Sequence, residues 1–103
     1  MANTFKNYTA SCTNTSATTV YTVPSATQSV IIGCNLANTG SSTINVDVQV
    51  AGVYVVKAAP IPVGSALSVL DGKLVGEAAD TVVVTSDATG GDCDVILSAL
   101  ESS

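Results

Sequence analysis

Between Thr43 and Val50 every second residue is apolar, in the run Thr43-Ile44-Asn45-Val46-Asp47-Val48-Gln49-Val50. A two-residue period places Ile44, Val46, Val48 and Val50 on one side of an extended chain and the polar residues on the other. That is the mark of a strand with one buried and one wet face. The rest of the chain is built from the same material, with 16 Val and 13 Thr among 103 residues. β-branched side chains are stiff at χ1 and fit a pleated surface better than a helix. No eleven-residue window carries a comparable stripe at 3.6-residue spacing, so the expected helix content is near zero.

Breakers divide the chain into about eight short strands. Tyr8–Thr13 reads as an edge strand behind an N-terminal arm, and Thr18–Val23 is closed by Pro24, which has no ladder donor. Gln28–Asn38 is the longest and reads as central. Thr43–Val50 and Val53–Ala58 flank Ala51-Gly52, a two-residue hairpin signal. Pro60–Gly64 reads as an extended crossover. Ser65–Leu70 and Lys73–Val75 read as a second hairpin across Asp71-Gly72, and Asp80–Ser86 and Asp92–Leu100 complete the set. Turn signals about every ten residues predict an all-β fold, a two-sheet antiparallel β-sandwich of Ig-like or jelly-roll-like type. Residues 15–103 form the single sandwich domain, and residues 1–14 supply the arm and edge strand.

Alternation also assigns faces. Val30, Ile32, Cys34 and Leu36 are expected inward with Val46, Val48, Val50, Val82, Val84, Cys93, Val95 and Leu97. Ile31, Val83, Ile96 and Leu100 then fall on outer faces. With charged residues at only 11% of the chain, apolar outer positions suggest a surface that meets a partner. The candidate interface residues are Phe5 and Tyr8 in the arm, together with Ile31 and Val83.

The residue inventory removes most chemistry. His and Trp are absent, the three basic residues are Lys6, Lys57 and Lys73, and the net charge is −5. Phosphate neutralisation needs clustered Lys and Arg, so nucleic acid is not an expected partner. No apolar run approaches the ~20 residues of a membrane span, and the N-terminus has no secretory h-region. No hydroxyl or thiol nucleophile has a His base, so no catalytic residue is expected. Asp87, Asp92 and Asp94 surround a Gly-rich loop without calcium-loop spacing and read as a solvated acidic hairpin, and no metal or cofactor is expected. Cys12, Cys34 and Cys93 read as small buried hydrophobes; were one pair bonded, the shared inward face favours Cys34 with Cys93. Tyr8, Tyr21, Tyr54 and Phe5 are the entire aromatic supply for a carbohydrate-binding module, the reading from another functional class.

A resemblance narrows the class. Thr18-Thr19-Val20-Tyr21-Thr22-Val23-Pro24 and the run from Gln28 to Thr39 resemble segments of a family of small structural proteins of tailed bacteriophages, many infecting cyanobacteria or other aquatic bacteria. Pro60-Ile61-Pro62-Val63-Gly64-Ser65, Lys73–Val82 and Asp94–Glu101 resemble the family's crossover, its LVLEAGDTV-like segment and its closing strand. Gly76 and Ala79 depart from that pattern, where the family has an apolar residue and a turn glycine. The resemblance implies a virion component assembled in the host cytoplasm: a capsid decoration (cement) protein on the head, or a neck, tail or fibre accessory protein. It also implies the major capsid protein or other virion proteins as partners, and a homo-oligomer, trimer or dimer. An odd number of cysteines suits assembly in a reducing compartment.

Overall fold

The computed structural model describes residues 3–69 and 74–102. Among them there is no helix, and nine strands form two antiparallel sheets. These are β1 (Asn3–Cys12), β2 (Thr18–Thr22), β3 (Gln28–Asn38), β4 (Ile44–Val50), β5 (Val53–Ile61), β6 (Ala66–Ser68), β7 (Leu74–Gly76), β8 (Thr81–Ser86) and β9 (Cys93–Ser102). The first sheet runs β1-β9-β3-β6, with β7 also on β3; the second runs β2-β8-β4-β5. The accessible surface of 5431 Å² is close to the roughly 5,300 Å² expected for a globule of this mass.

The two sheets bury their facing sides against each other. The first contributes Ile31, Leu36, Val95, Leu97 and Ala99; the second contributes Val20, Tyr21, Ile44, Val46, Val48, Val82 and Val84. The alternation in β4, β8 and β9 therefore works as its period predicts, with Val46, Val84 and Leu97 fully buried. The hairpin between β4 and β5 turns on Ala51 (φ 53°) and Gly52 (φ 79°), both left-handed, joining the pair Val50 and Val53. Two positive φ values in a two-residue loop match the twist of the flanking strands.

Several expectations are corrected. The N-terminal arm is a strand: Asn3 to Cys12 pair without interruption with Ser102 to Cys93 of β9. Tyr8, Ala10 and Cys12 supply the period-2 inward face that holds it there. In β3 the register slips between Ile31 and Gly33, a β-bulge that flips the side chains on one side of it. Ser29 and Ile31 point inward before the bulge, and Cys34 and Leu36 after it. Hence Ile31 is 1% exposed, not outward, while Ile32, expected inward, is 41% exposed. Strand β5 continues through Pro60 to Ile61, where a crossover was expected, because an edge strand tolerates a missing donor. A second bulge places Lys57 and Ala58 opposite Asp47, whose carboxylate accepts the Ala58 N–H at 2.7 Å.

Strands β6 and β7 do not form the expected hairpin. Both pair with β3, at Asn35–Ala37 and Ser29–Ile31, so they lie end to end along its open edge. The Asp71-Gly72 turn proposed between them lies outside the described residues.

Ala51 occupies a left-handed position that suits Asn far better than Ala. Ala51→Asn is expected to raise unfolding stability by about 0.5–1 kcal/mol. In urea titration the midpoint should rise while the slope stays unchanged.

Candidate functional site

Three regions hold the side chains that matter for function: a buried polar clamp, the outer face of the five-stranded sheet, and a cysteine pair where β1 ends.

The clamp is centred on Glu101 of β9, which is 7% exposed. Its Oε2 accepts the hydroxyl proton of Tyr8 at 2.5 Å and that of Tyr21 at 2.7 Å. With its hydroxyl hydrogen directed at Glu101, Tyr21 accepts a second hydrogen bond from Ser29 Oγ at 3.0 Å. The two tyrosine rings lie 4.3 Å apart between centroids, and Lys6 Nζ is 3.7 Å from Oε1. The carboxylate thus joins β1, β2 and β9, Tyr21 adds β3 through Ser29, and the two sheets are tied together. Hydrogen bonds to a charged acceptor are worth more than neutral ones, and the two phenols offset the cost of burying the charge. The bonds from Tyr8 and then Tyr21 lower the Glu101 pKa below the usual carboxylate range, with a smaller contribution from Lys6. Burial, followed by the bond to Glu101, raises the Tyr8 pKa above the usual phenol range.

Cross-strand partners on one side of a sheet stand side by side. On the outer face Phe5 pairs with Leu100, Leu100 with Val30, and Val30 with Val75. These four make one apolar row across the sheet from β1 to β7. Phe5 is 75% exposed and Val75 65%, with Leu100 and Val30 half-buried between them. Ile32 and Ile96 extend the apolar surface along the sheet, and both are exposed. Asn7 and Ser98 share a hydrogen bond, as do Ser11 and Asp94. Asp94 is the one charged side chain at the described outward positions of these strands. Beside it Thr9, Ser11, Asn35, Ala37 and Ile96 line a shallow groove of about 310 Å³.

Cys12 and Cys93 are direct partners in the β1–β9 ladder, and both are buried and free. The neighbouring Cys93 thiol eases loss of the Cys12 proton, while Cys12 and burial oppose loss of the Cys93 proton. Gly91 closes the adjoining loop with φ 77°, and a Cβ there would collide with the Cys12 carbonyl. Cys34 stands across from Leu97 instead, and burial pushes its thiol up to about 11. All three cysteines are buried and free, as expected; the pair that sequence would favour were one bonded, Cys34 with Cys93, gives way to Cys12 with Cys93. The cause is that residues 3–12 are a strand lying against β9.

No family model matches the chain, and no curated protein matches it.

The four candidate interface residues do not form one surface. Phe5 lies at one end of the outer apolar row. Tyr8 is turned inward to the clamp. Ile31 is in the core, and Val83 is half-buried on the outside of the opposite sheet, beside Thr19 and Gln49. Alternation does place Ile96 and Leu100 outward, but Val30 and Val75 are missed because the β3 bulge and the β3–β7 pairing leave no local signal. The acidic loop residues also disperse: Asp87 accepts the Asn45 backbone N–H and side-chain amide, while Asp94 accepts Ser11. Among the described residues no three His, Cys, Asp or Glu side chains gather where they could hold a metal ion.

The clamp predicts acid sensitivity with a definite sign. Glu101 has a lowered folded pKa, so its contribution to stability is fully present above the unfolded carboxylate pKa of about 4.3. It is lost as pH falls from there through the folded value. Thermal unfolding followed from neutral to strongly acidic pH should show this limb, and Glu101→Gln should flatten it. Because Gln leaves the two phenols with a weaker acceptor, it should also cost about 1–3 kcal/mol at neutral pH.

Oxidation offers a second check. Treatment with oxidised glutathione, which takes up the two hydrogens released as the S–S bond forms, should join Cys12 to Cys93 and leave Cys34 free. Non-reducing peptide mapping reads the linkage, and a Cys34–Cys93 product would contradict the register.

Proposed function

We propose that this chain is a structural protein of a tailed-bacteriophage particle, a decoration protein seated on the head shell. The observation that carries the reading is the succession of sequence segments, from Thr18–Pro24 through Pro60–Ser65 to Asp94–Glu101, that resembles the small phage structural proteins. A shell component acts by burying surface on its neighbours. The exposed row Phe5–Leu100–Val30–Val75 supports that manner of working, since an apolar row at a sheet surface gains free energy when covered. The clamp adds rigidity by holding β1, which carries Phe5, to the body of the sandwich. On this reading the partners are the major capsid protein or neighbouring virion proteins, and no catalytic step is involved.

Purified particles separated by density should contain the chain, and quantitative mass spectrometry against the major capsid protein should give a high copy number, in the hundreds as an order of magnitude for a lattice-wide coat. A copy number of about six or twelve would move the protein to the neck or tail, whose rings have closed symmetry. Absence from mature particles would refute the virion reading altogether.

A further inference from the structure

We infer that the outer face of the five-stranded sheet is the contact between two copies of this chain, packed face to face as a two-fold dimer. The inference goes beyond the proposed role in a particle, and a measurement on the isolated protein decides it independently.

Charge distribution points to a second copy. The chain carries eight acidic and three basic residues, so two copies repel wherever their acidic surfaces meet. The outer face of β1, β9, β3, β6 and β7 escapes that penalty: Asp94, at the end of the sheet far from Phe5, is the one charge at its described outward positions. Asp94 is already engaged by Ser11 Oγ at 2.7 Å. Among the described residues a basic partner would find one carboxylate on this face, Asp94, which is already engaged. An acidic copy finds apolar and neutral residues matching its own.

The size also suffices. Three strands of ten or eleven residues, with the three-residue β6 and β7 end to end beside them, give a face on the order of 580 Å² per copy. Two such faces bury roughly 1,150 Å², which clears the roughly 1,000 Å² expected of a biological interface. The other exposed apolar group, Val53, Tyr54 and Val55 on β5, is smaller and carries charge, with Lys57 above the Tyr54 ring and paired to Asp47.

Geometry selects the two-fold arrangement. A single self-complementary face packed on itself is isologous and closes as a dimer, whereas a trimer needs two different patches on each copy. Across a two-fold axis, the row from Phe5 to Val75 meets the same row of the second copy, with apolar residues at both ends and in the middle.

Sedimentation of the full chain over micromolar to sub-millimolar concentration tests the inference. The wild type should be a dimer. Val75→Asp should weaken it by at least about a hundredfold, since each copy would bury an unpaired carboxylate against an apolar row. Phe5→Ser, at the opposite edge of the sheet, should also shift the equilibrium to monomer. Val53→Asp on β5 should leave the dimer intact. Both face positions are exposed, so circular dichroism and the thermal midpoint of the monomeric variants should stay near wild type. A monomeric or trimeric wild type would overturn the inference. So would a dimer that survives Val75→Asp, the result expected if copies joined edge to edge along β1.

Discussion

Strand β9 is bonded along its length to β1 on one side and to β3 on the other. It fixes the register of the whole five-stranded sheet, because β6 and β7 take their positions from β3. Its alternation decides which residues enter the core (Val95, Leu97, Ala99) and which stand outside (Ile96, Ser98, Leu100). Its last inward position is Glu101, a charge where an apolar residue would be expected. That charge is tolerated because Tyr8 and Tyr21 arrive from two other strands to donate to it and Lys6 stands beside it. The polar clamp and the apolar core are thus successive steps of one strand.

The outer apolar row follows from the same register. Leu100 stands between Phe5 and Val30 because β9 stands between β1 and β3. A slip of one residue anywhere in the sheet would turn one of these side chains inward and break the row. The bulge at Ile31–Gly33 has a comparable effect on β3. It lets Ile31 enter the core on one side and Cys34 on the other, and leaves Ile32 exposed on the outer face.

Much of this architecture is legible in the chain itself. β3 is expected over Gln28–Asn38, where it lies; the Ala51-Gly52 turn and the inward valines of β4 and β8 follow directly from period 2. What escapes is non-local. The four residues Val30-Ile31-Ile32-Gly33 offer no polar residue to show which is inside, so the bulge and the fate of Ile31 depend on pairing with β9. Pro60 reads as a stop because nothing nearby reveals that its strand is an edge. The Cys12–Cys93 pair and the Tyr8–Glu101 bond link residues more than eighty positions apart, and no window along the chain contains both partners. Of the candidate interface residues, Phe5 keeps its exposed position because its strand has no covering layer on that side.

The Tyr8–Glu101 bond spans 93 positions, which has a consequence for how the chain is made. While β9 is still inside the ribosome, β1 has emerged without its hydrogen-bonding partner, and β3 exposes a long unsatisfied edge. Closure of this sheet must await the arrival of β9. Such distant pairings reach the native state slowly and leave nascent strands open to mispairing with one another. Crowded synthesis of many copies would thus favour a holding chaperone, or low temperature, until the closing strand is free.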